Sequence, residues 1–296
     1  MTTTTDYLSV PGATLYYEMR GNGPTLLISQ SGEGDAGRSV DLVKQLADAY
    51  TVITYDRRGL SRSTLDDPGS GVTLTEHADD VHRLLTAVTD EPAAMLGCSL
   101  GAAIGLHLAL RHTGQLSTLI AHEPVAPRLL PAQDRTRHEA ELAEIQQLYR
   151  KEGLAPTLKA VAGVLGIDPA NPDAEPGLTP QPMTSGRIAN FGFFIENDFT
   201  ALINDTLPVN ELAHTPTRII PAAGRTTPRI VFDHRCAQEL ATLLGAEVTE
   251  FPGGHNGNTT HPRAYAAQLH RTLQAAKVGW RSGSSTLTRL TRGSAE

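Results

Sequence analysis

The sequence has little of several features that mark particular classes of protein. Its 296 residues include only two cysteines, Cys98 and Cys236, and we expect these distant residues to be buried free thiols in a reducing compartment. No apolar run approaches the roughly 18 residues that a membrane-spanning helix needs. The N-terminus has neither the basic nor the apolar part of a secretory signal. We therefore expect a cytoplasmic protein that does not bind membranes.

Basic residues are also in short supply. The 25 lysines and arginines are outnumbered by 32 aspartates and glutamates, which gives a formal net charge of −7. A nucleic-acid-binding protein more often carries a basic face, so we expect no nucleic-acid partner. Cysteine and histidine are not clustered as metal ligands are, so we expect no metal and no cofactor. The expected partner is a small-molecule substrate, bound by a monomer or a homodimer.

The first half of the sequence alternates short apolar runs with helical patterns. This alternation predicts an α/β fold, in which a mostly parallel central sheet is flanked by helices on both faces. One helix is predicted to start with a capping box formed by Thr73 and Glu76. The predicted strands occupy residues 13–20, 26–28, 50–55, 93–96 and 116–121.

The pattern changes in the middle of the chain. Residues 126–213 read as helical with a proline-rich break, which indicates a helical cap inserted into the α/β core. Strand and helix patterns then resume, so the core is expected to comprise residues 1–125 and 214–276. The last predicted helix ends at Ala275, and the polar residues 277–296 are expected to form a disordered tail.

The strongest chemical signal is the segment 97–101, which reads G-C-S-L-G. It follows a predicted strand and opens an apolar helix, and a sharp turn of this kind exposes its central residue, Ser99, as a nucleophile. Glycine at the two flanking positions avoids clashes with the adjacent strand and helix. The backbone N–H of Leu100 would then donate to a developing oxyanion. The adjacent Cys98 is expected to be structural and to border the pocket.

A serine hydroxyl is a weak nucleophile and needs a base. His255 is the best placed of the 11 histidines, because its glycine-rich loop follows the last predicted strand and precedes a helix. That loop can hold the imidazole over the ends of the strands. His122 is a rival because it ends a strand near the site, but we expect it to border the pocket instead.

Such a site also needs a carboxylate that orients the base and stabilises its charged form. The region after the cap, residues 219–228, offers none before Asp233, which lies in the next helix. Glu123 ends the strand before the cap, at the edge where open α/β sheets bind ligands. We assign Glu123 as the acid and keep Asp233 in reserve; Glu123 could instead pair with Arg128 at the start of the cap.

Together these features resemble the α/β-hydrolase superfamily from about Tyr7 to Leu273. The segments G-C-S-L-G-A, H-E-P and P-G-G-H are similar to those of the fungal zearalenone lactone hydrolases and of many bacterial hydrolases. In the lactone hydrolases the acid follows the strand before the cap, which supports Glu123. Where many relatives carry His-Gly, this chain has Ser31 and Gly32, and the N–H of Gly32 is the expected second oxyanion donor.

The predicted cap contains the densest aromatic cluster of the chain. Phe191 and Phe194 in this cluster are expected to line an apolar pocket with Ser31 and Glu33, which suits a hydrophobic acyl group or a lactone ring. The resemblance implies hydrolysis of an ester or lactone through an acyl-enzyme on Ser99. Alternatives on the same fold are C–C bond hydrolysis, thioester hydrolysis, cyclisation and perhydrolysis, or ligand binding by a receptor.

Overall fold

The computed structural model describes residues 3–168, 170 and 172–287, and one β-sheet forms its centre. In this part of the chain, nine strands pair in the order β1-β2-β4-β3-β6-β7-β8-β9, with the short β5 paired to β2. The strands are β1 (Thr3–Val10), β2 (Ala13–Arg20), β3 (Thr25–Ser29), β4 (Thr51–Tyr55), β5 (Thr64–Leu65), β6 (Ala93–Cys98), β7 (Leu116–His122), β8 (Arg218–Gly224) and β9 (Thr249–Phe251).

Most of this sheet is parallel. From β4 to β9 every neighbouring pair runs parallel, whereas β1 and β2 join the sheet antiparallel. The carboxyl ends of the parallel strands therefore meet at one edge, where open α/β sheets bind ligands. The predicted fold class is confirmed, although the N-terminal strand β1 was not predicted because its polar, threonine-rich sequence carries no apolar alternation.

Helices cover both faces of the sheet, because alternate residues of each strand point to opposite sides. Met95 packs with helices of one face, while its neighbour Leu96 packs with helices of the other. The helices that join strands are α1 (Val40–Leu46), α2 (Leu74–Val88), α3 (Leu100–Arg111) and α8 (Phe232–Leu244), and α9 (Gly257–Thr260) and α10 (Pro262–Leu287) follow β9.

Between β7 and β8 the described residues form helices and irregular structure. We call this group the inserted helices: α4 (Ala132–Glu152), α5 (Leu154–Val164), α6 (Ser185–Phe193) and α7 (Phe199–Ile203), with a π-helical turn (Phe194–Asp198) joining the last two. The expectation that residues 126–213 form a cap stays a prediction at this point.

Two expectations from the sequence concern the start of α2 and the end of the final helix. The capping box of α2 is present, with Thr73 Oγ1 accepting from Glu76 N at 3.1 Å and Glu76 Oε2 accepting from Thr73 N at 2.9 Å. The final helix, however, continues to Leu287 and does not end at Ala275. The expected tail therefore begins as helix, and its residues 288–296 lie outside the described part of the chain.

Close backbone contacts fix the junction of β6 and α3. A Cβ atom on Gly101 would lie 2.1 Å from the carbonyl oxygen of Ser29 in β3, and one on Gly97 would lie 2.6 Å from Ala102 Cα. The first turn of α3 thus lies directly against β3, closer than any side chain permits. These two glycines let the helix begin immediately after the strand.

We predict that Gly101→Ala destabilises the fold, because the added methyl group meets backbone that cannot rotate away. The expected loss in the free energy of unfolding is about 1–3 kcal/mol, the range for overpacked sites, measured by urea denaturation. Gly163→Ala in α5 is the matched control, since a Cβ there meets nothing within 4 Å. It should be neutral or stabilise by up to about 1 kcal/mol. Equal effects of the two variants would contradict the proposed contact.

Candidate active site

Ser99 occupies the turn between β6 and α3. Its backbone lies at φ 55° and ψ −115°, and its N–H donates to the carbonyl of His122 at 2.9 Å. A non-glycine residue adopts such a conformation only where the surrounding structure holds it, and strain of this kind is concentrated at functional sites. The side chain lines a cavity at the carboxyl edge of the sheet.

Glu123 follows β7 and is fully buried, also with a positive φ of 43°. Its backbone N–H donates to the carbonyl of Ala222 in β8 at 2.9 Å. Its side chain accepts from His255 Nδ1 at 2.7 Å through Oε2 and from the backbone N–H of Gly224 at 2.9 Å through Oε1. Both oxygens of the buried carboxylate are therefore hydrogen-bonded.

The neighbours of Glu123 keep it ionised. Burial by itself raises the pKa of this carboxyl group, but the imidazoles of His234 and His255 outweigh burial and bring its pKa well below the usual value. For His255, burial opposes protonation, whereas the hydrogen bond and negative charge of Glu123 favour it, and its pKa is raised. Glu123 thus stays ionised, and the imidazole of His255 is a better proton acceptor than that of a free histidine.

Asp233, the reserve acid, also approaches this imidazole. Its Oδ2 lies 3.7 Å from His255 Nδ1, and its Oδ1 lies 3.5 Å from His138 Nε2 in α4. Glu123 is therefore nearer to His255 by a full ångström and makes the hydrogen bond. Arg128, the other suggested partner of Glu123, makes no ion pair with it among the described residues.

Ser99 and His255 line the same cavity, together with residues of the loop after β3. Among the described residues no hydrogen bond joins Ser99 Oγ to His255 Nε2. Such bonds are often long in the absence of a substrate and tighten in the complex. The structure thus brings Ser99, His255 and Glu123 to one edge of the sheet, and their catalytic roles remain predictions.

The two predicted oxyanion donors belong to the surroundings of the proposed nucleophile: Leu100 directly follows Ser99, and Gly32 lines the same cavity as Ser99. Leu100 is the first residue of α3, where backbone N–H groups have no acceptor within the helix. Gly32 lies in the loop after β3 and lines the cavity, and the ring of Phe194 covers it so closely that a Cβ on Gly32 would lie 2.1 Å from a ring carbon. A side chain at this position would therefore displace the ring of Phe194 in the π-helical turn.

Arg57, which follows β4, holds the loop that contains Gly32. Its guanidinium donates to three successive carbonyls: to those of Gln30 at 3.3 Å and Ser31 at 3.2 Å, and to that of Gly32. Bonds to consecutive carbonyls fix the orientation of the peptide planes, and with it the direction of the Gly32 N–H. The sequence analysis did not identify this arginine.

The negative partner of Arg57 comes from the π-helical turn. Asp198 is fully buried and accepts from Arg57 Nη2 at 3.3 Å and from His77 Nε2 of α2 at 2.9 Å. A π-helical turn inside a helix is rare and is frequent at functional sites. The turn supplies both Asp198 and Phe194, so the inserted helices contribute directly to the shape of the loop after β3.

The cavity has a volume of about 210 Å³ and lies between the core and the inserted helices. Four side chains expected in the pocket do line it: Ser31, Glu33, Phe191 and Phe194. Apolar residues of the inserted helices cover much of the rest, among them Leu142, Ile145, Leu158, Val161 and Leu165. Sequence reasoning missed the charged residues of the cavity lining, which include Arg38, His138, Glu141 and Arg187.

Cys98 and His122, also expected in the pocket, lie elsewhere. Both are buried on the side of the sheet that packs against α10, where His122 makes edge contacts with Phe251 and Tyr265. The reason is strand alternation, which turns the last side chain of β6 and of β7 away from the cavity. Burial raises the pKa of the Cys98 thiol to about 12 and lowers that of His122 to about 4, so neither suits the nucleophile or base.

These features coincide with a known family. The sequence profile of the alpha/beta hydrolase fold family matches residues 24–178, more than half of the chain. An uncharacterised hydrolase of Bacillus subtilis strain 168, YraK, is 34% identical over 281 residues, which cover 94% of this chain and 98% of that protein. The chain therefore belongs to the alpha/beta hydrolase fold family, and the resemblance seen in the sequence is confirmed.

Solved structures show the same fold at lower identity. The esterase EaEST from Exiguobacterium antarcticum has a TM-score of 0.71 at 16% identity, covering 92% of this chain and all (100%) of that one. The enol-lactonase from Burkholderia xenovorans LB400 has a TM-score of 0.64 at 20% identity, covering 91% of this chain and 100% of that one.

None of the helices within the described residues has the length and apolar character to cross a membrane.

We predict that loss of the buried ion pair between Arg57 and Asp198 destabilises the fold. Asp198→Asn leaves Arg57 as a buried cation without its counter-charge, so the free energy of unfolding in urea should fall by about 3–5 kcal/mol. Glu196→Gln is the matched control, because Glu196 lies in the same π-helical turn and pairs with Arg150 at the surface. That variant should lose no more than about 1 kcal/mol. A loss below 1 kcal/mol for Asp198→Asn would show that Arg57 does not need this partner.

Proposed function

We propose that the protein is a serine hydrolase that cleaves an ester or lactone of a small molecule with an apolar part. The observation that carries the proposal is the placement of Ser99, at positive φ at the start of α3, in one cavity with an imidazole that Glu123 holds at 2.7 Å. A strained serine at a strand-to-helix turn, a histidine and a carboxylate are the parts that acyl transfer requires.

In the proposed mechanism, His255 Nε2 removes the proton from Ser99 Oγ as the oxygen attacks the substrate carbonyl. The backbone N–H groups of Leu100 and Gly32 stabilise the oxyanion, and Arg57 keeps the second of these in place. His255 then gives its proton to the leaving alcohol. Water, deprotonated by the same imidazole, then attacks the acyl-enzyme, and the imidazolium returns the proton to Ser99 Oγ as the acid leaves. Glu123 stabilises the imidazolium in both steps.

The surroundings support an ester or lactone as the substrate. We propose that the inserted helices act as a cap, because the cavity lies between them and the sheet edge and is largely lined by their apolar side chains. An esterase and an enol-lactonase share the fold, which agrees with this substrate class. The mechanism uses side chains and backbone alone and needs no cofactor. A cytoplasmic location, with a small-molecule substrate as partner, remains part of the proposal.

The mass of the intact protein after treatment with a fluorophosphonate tests the nucleophile. One adduct is expected on the wild type and none on Ser99→Ala, while Ser117→Ala, at a serine of β7 bonded to the carbonyl of Ala93, should label as the wild type does. Ester turnover should disappear with the adduct. An adduct on Ser99→Ala would place the nucleophile elsewhere, and an unlabelled wild type would favour a receptor.

The pH dependence of ester hydrolysis tests the base and its acid. Because the base must be neutral and the pKa of His255 is raised above 6.5, kcat/KM should increase with pH through a value above 6.5. Glu123→Gln removes the charge that favours the imidazolium, so the rise should shift to lower pH and the maximum should fall. Asp233→Asn should shift it less, since Asp233 is 3.7 Å away. A larger effect of Asp233→Asn would make Asp233 the acid.

A further inference from the structure

Two arginines and one glutamate form a charged corner of the cavity. Glu33 follows Gly32 in the loop after β3, Arg38 lies in a 3-10 helix (Ala36–Ser39), and Arg187 lies in α6. All three line the cavity that contains Ser99. The mechanism above uses none of them.

The charges in this corner do not balance. Arg38 Nε lies 3.3 Å from Glu33 Oε1, and Arg187 Nη2 lies 2.9 Å from the same oxygen. Two guanidinium groups thus share one carboxylate, which leaves one positive charge in excess. The side chains of Arg38 and Arg187 are only 17% and 20% exposed, so water screens this excess incompletely.

Two polar atoms of this corner also lack hydrogen-bond partners in the described part of the chain. Arg187 Nε and Glu33 Oε2 are buried and make no hydrogen bond among the described residues. Asp35 is the next carboxylate along the loop, but among the described residues it makes no ion pair with either arginine and does not line the cavity; its Oδ2 accepts from Ser61 Oγ at 2.7 Å. Burial lowers the pKa of Arg38, and the repulsion of Arg187 adds to this, against the attraction of Glu33 and Asp35.

Another part of the cavity lining, which we call the acidic wall, carries the other sign. Glu141 and Asp233 flank His138, with its Nδ1 3.3 Å from Glu141 and its Nε2 3.5 Å from Asp233. Burial opposes protonation of His138, but these two carboxylates raise its pKa to about 9, so the group carries two negative charges and one positive charge at neutral pH. An anion in the cavity is therefore repelled from this wall and attracted to Arg38 and Arg187.

We propose that Arg38 and Arg187 form a subsite for a carboxylate group of the substrate. The inference rests on the proposed hydrolysis at Ser99 and narrows its substrate class to esters or lactones of acids with a second, ionised carboxyl group. Guanidinium groups bind carboxylates through paired, charge-assisted hydrogen bonds. Glu33 holds the two arginines and directly follows the proposed oxyanion donor Gly32, so the second carboxylate lies only a short acyl chain from the scissile carbonyl.

The first experiment compares matched esters. The half-esters of succinic, glutaric and adipic acid with para-nitrophenol carry a free carboxylate, and their methyl-capped forms are the neutral controls. For the preferred chain length, kcat/KM should be about tenfold or more higher for the half-ester than for its capped form at low salt, and the ratio should fall in high salt. In Arg38→Gln and Arg187→Gln the ratio should fall about tenfold.

Arg150→Gln is the control variant, because Arg150 lies on α4 but pairs with Glu196 at the surface and does not line the cavity. Its ratio should equal that of the wild type. A wild-type ratio near one, or a ratio that survives in the Arg38→Gln, Arg187→Gln double variant, would overturn the subsite. The ratio is the readout because it cancels any loss of folded or active protein.

Calorimetric titration of glutarate into Ser99→Ala separates the subsite from the reaction. Binding that disappears when Arg38 and Arg187 are both changed to Gln upholds the subsite even if no ester is turned over, in which case only the proposed reaction fails. Turnover of the capped esters with neither a preference for half-esters nor glutarate binding overturns the subsite and leaves ester hydrolysis standing.

Discussion

The whole site depends on one fully buried carboxylate. A buried charge is tolerated only when it is paired and hydrogen-bonded, and Glu123 meets that requirement with groups from three different parts of the chain. It binds β8 through Gly224 N, the loop after β9 through His255, and approaches His234 of α8 at 3.7 Å. The position of the imidazole is therefore set by the same contacts that join the last strands of the sheet.

A second buried charge connects the core with the inserted helices. Arg57 is 2% exposed and orients the loop after β3, yet its only carboxylate partner among the described residues is Asp198 of the π-helical turn. The same turn covers Gly32 with Phe194. The inserted helices, proposed to act as a cap, thus also fix the backbone that would stabilise the oxyanion, so the proposed substrate binding and chemistry would share one set of contacts.

The sequence was informative where local chemistry determines the structure. The glycines around Ser99 predict the turn because no side chain fits there, and the lack of a carboxylate after β8 pointed to Glu123 at the end of β7. That gap has a structural counterpart, since the backbone N–H of Gly224, at the end of β8, donates to Glu123. The fold class followed from the alternation of strands and helices and is confirmed.

What sequence reasoning missed depends on contacts between distant segments. Arg57 and Asp198 are 141 positions apart in the sequence, and Glu33 and Arg187 are 154 positions apart. The spacing of neighbouring residues therefore predicts neither contact. Cys98 and His122 were placed in the pocket because they adjoin site residues, although adjacent residues of a strand point to opposite sides. Cys98 and His122 directly precede Ser99 and Glu123, so their side chains point into the core on the other side of the sheet.

These contacts also constrain how the inserted helices can move. The segment supplies Asp198 to Arg57 and His138 to Asp233, one anion and one cation, each to a buried partner in the core. If the helices lifted as a rigid body, both core partners would lose their ion pairs in a poorly solvated site, at a cost of about 3–5 kcal/mol for each broken pair. A motion that keeps α4 and the π-helical turn seated on the core avoids that cost. In the proposed reaction, the substrate would therefore enter and leave through the rest of the cavity wall, which includes α6 and the charged corner around Arg187.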